Sequence, residues 1–292
     1  MNPPRILLFG RVGQVGWELR RTLAPMSRLV CVDFPDVDLT RPDSIRKWIQ
    51  DSSPDIIVNA AAYTAVDKAE TETALAMKIN GEAPGIMAEE AARRGSLLVH
   101  YSTDYVFDGT KTSPYAEEDL PNPLGAYGRT KLAGDVAVRQ TGCNHLIFRL
   151  CWVYGARGGN FMLTMMRLAR EREQLRVVSD QTGCPTWSRM IAETTAQALL
   201  QVRTPDHAAA TTGTYHLCAS GETSWHGFAD AIVNLMPTEG RKCRAVDPIS
   251  SAEYPTPTRR PAYSVMSCAK LERTFGLRLP AWHESLREVL EA

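Results

Sequence analysis

Tyr127 and Lys131 stand four residues apart in Tyr127-Gly128-Arg129-Thr130-Lys131, a spacing that puts both side chains on one face of a helix. A phenol beside an ammonium is what a proton donor for carbonyl reduction needs. The neighbouring charge stabilises the phenolate and draws the phenol down from its ordinary pKa of about 10 toward working pH. Such pairs arise often by chance. This one gains meaning from Gly10-Arg11-Val12-Gly13-Gln14-Val15-Gly16 near the N-terminus. Ile6-Leu7-Leu8-Phe9 precedes it and a helical pattern follows, so Gly10, Gly13 and Gly16 fall at a strand-to-helix turn. There the backbone can approach a pyrophosphate, and the helix N-terminus offers N–H groups and the positive end of its dipole. The spacing is one residue wider than Gly-x-Gly-x-x-Gly.

Other residues extend the same chemistry. The second strand is expected to end at Asp33, where a carboxylate accepts hydrogen bonds from adenosine ribose hydroxyls and repels a 2′-phosphate. That favours NADH without excluding NADPH, because Arg11 offers a competing positive charge. Asn59-Ala60-Ala61-Ala62-Tyr63-Thr64 follows a buried strand with small residues, as if backbone must lie against a flat ligand. His100-Tyr101-Ser102-Thr103-Asp104 closes the fourth strand at the carboxyl edge where such sheets bind ligands. A hydroxyl there, from Thr103 or Ser102, suits a carbonyl oxygen under reduction.

The elements that must position these groups follow from periodicity. Short β-rich apolar runs alternate with amphipathic segments through the first half, which signals an α/β fold with a doubly wound, Rossmann-like parallel sheet. Strands are expected at Arg5–Phe9, Leu29–Asp33, Asp55–Asn59, Leu97–Ser102 and His145–Leu150, with Leu175–Val178 as a sixth. Helices are expected near Val15–Ala24, Pro42–Gln50, Ala74–Arg94, Leu124–Gln140 and Phe161–Arg172. Thr40 before Arg41-Pro42-Asp43 reads as an N-cap, and Gly95 as a helix stop. Beyond about residue 180 the rhythm fades, and Gly183-Cys184-Pro185-Thr186, Thr204-Pro205 and Tyr254–Pro261 read as loop punctuation. The division expected is residues 1–180 as a dinucleotide-binding domain carrying the Tyr/Lys helix. Residues 181–292 form mostly a smaller substrate-binding lobe, some of whose segments return to the first domain.

Bulk properties set the boundaries. The 292 residues are 44% hydrophobic and 23% charged, with Lys+Arg and Asp+Glu balanced at 33 each. That balance argues against a general nucleic-acid or anionic-membrane binder. No apolar run approaches the roughly 20 residues that span a bilayer, and Met1-Asn2-Pro3-Pro4-Arg5 leads into a strand rather than a signal-peptide core. The seven cysteines are scattered without Cys-x-x-Cys spacing and read as reduced, packed thiols of a cytoplasmic protein. The six histidines are dispersed, with no pair at metal-ligand spacing.

Taken together, Gly10-x-x-Gly13-x-x-Gly16, the Asn59-Ala60-Ala61-Ala62 turn, Ser102-Thr103-Asp104-Tyr105-Val106-Phe107 and Tyr127-x-x-x-Lys131 resemble the extended short-chain dehydrogenase/reductases that act on nucleotide sugars. More narrowly, Ala62–Glu70, Cys151-Trp152-Val153-Tyr154 and Tyr254–Pro261 are similar to the reductases of dTDP-4-dehydrorhamnose, and the likeness runs from residue 5 almost to the C-terminus. It implies reduction of the 4-keto group of dTDP-4-dehydro-L-rhamnose to dTDP-L-rhamnose with NADH or NADPH, as a step toward surface polysaccharide. By the same resemblance Tyr127 is the proton donor, Lys131 binds the nicotinamide ribose and lowers the Tyr pKa, and Thr103 holds the carbonyl. Gly13, Gln14, Val15, Asp33, Asp38, Leu39, Ala62, Tyr63 and Thr64 match cofactor-contacting positions. Thr103, Asp104 and Trp152 match positions that contact the sugar. A diphosphate needs fixed guanidinium donors, for which Arg259 and Arg260 are the candidates. Asn160-Phe161 is a weaker candidate for the sugar-nucleotide site.

One departure bears on assembly. Some members of the group are dimers joined through magnesium on acidic side chains, one of them shortly after the Pro-Thr of the loop at 185–186. This chain reads Pro185-Thr186-Trp187-Ser188-Arg189, a base where the acid is expected. Glu18 remains as an acidic partner, but a hard cation wants several oxygens. No metal is expected, and the chain is expected to be a monomer or a homodimer. Two other readings stay open: a nucleotide-sugar epimerase or dehydratase on the same scaffold, with Asp104 beside Thr103 as extra acid/base, and a non-catalytic dinucleotide-binding regulatory subunit.

Overall fold

The computed structural model describes residues 3–202 and 204–291; Met1, Asn2, Arg203 and Ala292 lie outside the described residues. In chain order the elements begin with β1 (Arg5–Phe9), α1 (Gln14–Leu23), β2 (Arg28–Val32), α2 (Pro42–Ser52) and β3 (Ile56–Asn59). Next come α3 (Thr73–Met77), a π-helical turn (Lys78–Glu82), α4 (Ala83–Arg94), β4 (Leu97–Thr103), α5 (Ala126–Gln140) and β5 (His145–Leu150). Then follow β6 (Val153–Tyr154), α6 (Phe161–Glu171), β7 (Gln174–Val178), β8 (Thr182–Gly183), β9 (Thr186–Trp187), α7 (Ser188–Gln201), α8 (Pro205–Thr211) and β10 (Gly213–His216). The chain ends with β11 (Thr223–Ser224), α9 (Trp225–Leu235), β12 (Ala245–Ile249), α10 (Ala269–Phe275) and α11 (Trp282–Glu291).

Six parallel strands form the central sheet in the order β10-β5-β4-β3-β1-β2. Alternation along each strand decides which side chains face which helix layer. Ile6 and Leu8 of β1 join Leu19 and Leu23 of α1 and Ile191 and Leu199 of α7 on one face. Leu7 and Phe9 join Ile45 and Ile49 of α2, Met87 and Ala91 of α4 and Val138 of α5 on the other. A sheet covered on both faces needs near-continuous apolar strands, and β1, β3, β4 and β5 are buried almost throughout. That is why these strands were legible in the sequence. From β1 the order runs one way to β2 and the other way to β3, so the crevice at the carboxyl ends of β1 and β3 is the topological switch point, where open α/β sheets bind ligands.

Three local expectations are corrected. The segment at 175–178 is a strand, but β7 pairs in parallel with β12 in a second small sheet. The sixth strand of the central sheet is β10, beside β5. The chain reaches that edge through α7, which packs on α1. Thr40 does not cap α2: its hydroxyl donates to Asp38 Oδ1 at 2.7 Å, and the N-cap residue, Arg41, makes no side-chain cap bond. Thr204 does cap a helix, accepting from the His207 amide at the start of α8, so Thr204-Pro205 opens an element rather than a loop.

The second lobe gathers α6, α9, α11, β7 and β12 around Tyr154, Met162, Phe228, Ile232 and Leu286. Two short strand pairs lie near it in sequence, β6–β9, whose first strand comes directly after β5, and β8–β11, whose second comes directly before α9. No helix among the described residues is long and apolar enough to cross a membrane.

Candidate active site

The first half of the site is the turn after β1. Gly10 has a φ of +87°, a region that favours glycine. A Cβ on it would stand 2.5 Å from the Ala61 amide nitrogen, and one on Gly16 would stand 1.8 Å from the Gly10 carbonyl oxygen. The loops after β1 and β3 thus meet backbone to backbone at the switch point, as the small residues there require. Gly13 occupies the N-cap of α1 with no side-chain acceptor, and the first turn carries no acid. The leading amides of α1 are thereby left for an anion from outside the helix.

From this turn a cleft of about 460 Å³ runs past Gly10, Asp33, Asp38, Leu39, Ala61 and Ala62. Asp33 at its rim accepts from the Val12 amide at 3.0 Å and from the Phe34 amide at 2.9 Å, which ties the β2 carboxylate to the glycine turn. Arg11 is ion-paired with Asp36 at 2.8 Å and donates to the Cys31 carbonyl, so the competing positive charge is already partnered. Hydrogen bonds from Thr40 hold the Asp38 carboxyl below the usual carboxylate range. On the β3 side, Asn59 accepts from the Ala61 amide at 3.2 Å, and the Ala60 amide donates to Phe9 O at 3.0 Å. Asn80 accepts from the Tyr63 amide at 2.9 Å. Thr64 is exposed beyond it. Gln14 accepts from Asn160 Nδ2 at 3.0 Å, while Val15 packs on the core. Asn160, expected near the sugar, therefore stands beside the glycine turn. The cradle of bare amides and the long cleft with a carboxylate at its rim fit a dinucleotide.

The second half is the end of β4 facing α5. Strand alternation sends Ser102 toward Asp135 and Thr103 toward Tyr127, which separates two hydroxyls left as alternatives above. Thr103 Oγ1 donates to Asp104 Oδ1 at 2.9 Å and accepts from the Tyr105 amide at 3.2 Å. The N-terminus of α5 is set by a residue far upstream: Glu70 accepts from the Ala126 amide at 2.8 Å. Gly128 lets the helix press against the turn after β4, since a Cβ there would lie 2.2 Å from Tyr105 O. Tyr127 is half-buried, with Tyr105 edge-on at 5.5 Å. Lys131 is buried and donates to the Tyr101 carbonyl at 2.6 Å.

Electrostatics here differ from expectation. Burial pushes the Tyr127 phenol above its ordinary value, the neighbouring Thr103 hydroxyl acting against that rise. Burial also brings Lys131 down to about 8, against Asp135, which raises it. In the free chain the phenol is therefore not acidified overall. Desolvation of a hydroxyl in a packed site dominates, and the Lys131 ammonium spends its hydrogen bond on a backbone carbonyl.

The sugar-side candidates lie between the lobes. Trp152, with φ +45°, is stacked on Trp225 with ring centroids 3.5 Å apart and planes 9° from parallel. A Cβ on Gly183 would stand 2.5 Å from its ring, which marks the other face. Asp104 is 2% exposed and sits behind Thr103, where it also accepts from Cys151 Sγ at 3.3 Å. Burial raises its carboxyl to about 6. Its carboxylate supports Thr103, the hydroxyl expected to hold the carbonyl. Arg260 is half-buried, held by Asp67 at 3.0 Å and donating to Tyr105 Oη at 3.2 Å, whereas Arg259 is exposed. Sequence reasoning missed Asn80, Tyr105, Asp135 and Trp225. Only Asp135 carried a local signal, four residues beyond Lys131 on the same helical face.

Glu18, the acid considered for a cation, pairs with Arg21 at 3.2 Å, and Arg189, the base standing where an acid was expected, pairs with Glu193 at 3.1 Å. Among the described residues no group of three His, Cys, Asp or Glu side chains is placed to hold a metal ion.

Comparison with known proteins agrees with this architecture. The profile of the RmlD substrate binding domain family matches residues 4–292. A dTDP-4-dehydrorhamnose reductase of Burkholderia thailandensis is 51% identical over 283 residues, covering 95% of each chain. The Escherichia coli K12 protein of the same name is 43% identical over 98% of this chain and 96% of its own. The crystal structure of a dTDP-4-dehydrorhamnose reductase from Bacillus anthracis in complex with NADP superposes with a TM-score of 0.90 at 33% identity, covering 99% of both chains.

Proposed function

The chain belongs to the RmlD substrate binding domain family, and from that membership we propose that it reduces the 4-keto group of dTDP-4-dehydro-L-rhamnose to dTDP-L-rhamnose, using NADH or NADPH, in the making of an activated sugar for surface polysaccharide. The observation that carries the reading is the meeting of Thr103 and Tyr127 at the carboxyl end of β4, with Lys131 one helical turn beyond Tyr127 and held on the Tyr101 carbonyl.

The cofactor would lie along the cleft. The α1 amides from Gly13 to Val15 face its pyrophosphate, and Gly10 and Gly16 hold the turn that aims them. Asp33, with Asp38 and Leu39 along the same wall, takes the adenosine ribose. Ala60, Ala61, Ala62, Tyr63 and Thr64 line the β3 side, and Lys131 takes the nicotinamide ribose. When bound, the dihydronicotinamide supplies the hydride. Thr103 and Tyr127 hold the keto oxygen between two hydroxyls, and the Tyr127 proton passes to that oxygen as the carbonyl carbon becomes tetrahedral. A phenol kept protonated by burial is in the right state to give that proton. The phenolate left behind is compensated by Lys131 and by the Thr103 hydroxyl until solvent returns a proton. Trp152, its ring held between Trp225 and Gly183, offers its edge to the hexose, Asp104 steadies Thr103, and Arg260 and Arg259 are the cations assigned to the diphosphate.

Burial of Asp104 behind Thr103 weighs against the epimerase or dehydratase reading, which asks for a further acid/base at the sugar. The test is direct. Purified protein should oxidise NADH or NADPH only when the 4-keto sugar nucleotide is supplied, with dTDP-L-rhamnose as product. Tyr127→Phe should cut kcat by roughly 10²–10⁴-fold, the usual weight of a general acid, while cofactor binding stays measurable. Full turnover in that variant would remove Tyr127 from the mechanism.

A further inference from the structure

Beneath Lys131 lies a set of buried charges to which the proposed reaction assigns no part. Asp135 is 0% exposed and Arg149 1%, and Arg149 Nε donates to Asp135 Oδ2 at 3.4 Å. His100 Nε2 stands 3.9 Å from Asp135 Oδ1. On its other side, His100 Nδ1 meets the Asn59 amide group at 3.1 Å. With Asn59 donating, the neutral ring carries its proton on Nε2, toward the carboxylate. His100 Nε2, Asp135 Oδ1 and Arg149 Nη1 have no hydrogen-bond partner among the described residues. Ser102 Oγ, turned toward Asp135, is a fourth such atom; buried polar atoms are normally satisfied, so orphans gathered around one carboxylate call for an explanation.

We propose that Asp135 is a positioning residue for the reduction, and that the Asp135–Arg149 pair, clamped between α5 and β5, keeps Lys131 charged and seated on the Tyr101 carbonyl so that it can serve Tyr127. The proposal rests on the ketoreductase reading. Tyr127, Lys131 and Asp135 recur every four residues along one face of α5, and the carboxylate has two cations to answer. The pair fixes its own location by joining the helix to the strand beside β4.

The groups facing this cluster come from each element packed on it. They are Tyr127 and Arg139 of α5, His100 of β4, Asp104 just after it, His145 and Arg149 of β5, and, on the Arg149 side, Glu117 and, from β10, His216. Burial holds all three histidines below the usual range, Lys131 adding to the effect at His100, so none is charged at neutral pH. Burial holds Tyr127 protonated. Asp135 is the group that raises Lys131 against its burial. Neutralising it should let Lys131 lose its proton at lower pH.

The experiment is the pH profile of kcat/KM for the cofactor, in dihydronicotinamide oxidation with the 4-keto sugar nucleotide. In the unaltered protein the alkaline limb should fall near pH 8, where Lys131 titrates. Asp135→Asn should move that limb down by about one pH unit, a loss of roughly fivefold at pH 8 that approaches tenfold at higher pH, with much smaller loss at pH 6. Asp135→Glu should restore it. If Asp135→Asn does not fold, the double variant D135N/R149M, which leaves no unpaired guanidinium in the cluster, carries the same expectation of a lowered limb. A merely structural pair would lower activity evenly at every pH and leave the limb in place, and that outcome overturns the proposal. No oxidation by the unaltered protein would overturn the functional reading instead, so the two failures are distinct.

Discussion

Trp152 and Trp225 lie face to face, ring centroids 3.5 Å apart and planes 9° from parallel. One follows β5 at the edge of the central sheet and the other opens α9 of the second lobe, with Phe161 at 4.6 Å from Trp225 behind it. The Trp152 ring whose edge is proposed to border the hexose is therefore pinned by Trp225, and its backbone is held at a positive φ that a Trp seldom adopts. An aromatic pair of this kind contributes about 0.5–1.5 kcal/mol beyond its area burial. Trp225→Leu should raise KM for the sugar nucleotide by roughly two- to tenfold with little change in kcat or in cofactor affinity. Steady-state kinetics with each substrate varied will separate these, and an unchanged KM would show that the stack does not define that border.

The glycine turn yields a contrast between two neighbours. A methyl on Gly16 would collide with the Gly10 carbonyl at 1.8 Å, whereas one on Gly13 would meet that oxygen only at 3.6 Å, ordinary contact. Gly16→Ala should therefore destabilise the fold itself and lower the melting temperature. Gly13→Ala should melt like the parent chain yet bind dinucleotide much more weakly, because its methyl enters the space above the α1 amides. Thermal melts and cofactor titrations on both variants check this. Equal cofactor affinity in Gly13→Ala and the parent would mean that the pyrophosphate does not seat on that turn.

Much of this site could be read from the chain because its parts are local. The glycine turn, the small residues after β3, the Thr103 strand end and the four-residue interval from Tyr127 to Lys131 each carry their meaning within a few positions. Strands β1, β3, β4 and β5 are apolar on both faces and announce themselves. β10 does not: Gly213-Thr214-Tyr215-His216 is short and reaches the sheet edge only because α7 finds a seat on α1. Trp225 was equally silent, since an aromatic at a helix start means nothing until its stacking partner is known. The state of Tyr127 was misjudged for a related reason. Helical spacing reports that a cation is near, but not how thoroughly the hydroxyl is desolvated or that the ammonium is committed to Tyr101.

Cofactor choice should respond to Asp33. Its carboxylate is tied to the Val12 amide at 3.0 Å, and the nearby Arg11 is engaged with Asp36 at 2.8 Å. A 2′-phosphate placed there meets an unneutralised carboxylate and an arginine already paired. Asp33→Asn keeps a hydrogen-bonding group while removing the charge. It should raise the ratio of kcat/KM for NADPH over NADH by about tenfold, equivalent to ~1.4 kcal/mol. Adding Asp36→Asn should raise it further by freeing Arg11. A ratio that stays constant would place the adenosine ribose away from β2.

The Asp104 carboxyl makes the stability of the protein depend on pH with a definite sign. Its pKa rises to about 6 in the folded chain from an ordinary 3.8, because burial outweighs the hydrogen bonds from Thr103, Cys151 and Ser264. Between those two values the native state holds a proton that the unfolded state has released. This group's contribution to stability therefore falls as pH rises through the window. It costs nothing below about pH 4, and above about pH 6 the full penalty of roughly 3 kcal/mol applies. Asp104→Asn has no such titration. Whatever constant offset the lost hydrogen bonds impose, urea unfolding at a series of pH values should show the variant gaining on the parent by up to ~3 kcal/mol between pH 4 and pH 7. A difference that stays flat across that interval would mean that the carboxyl is ionised in the native state well below pH 6, through solvent or donors that reach it behind Thr103.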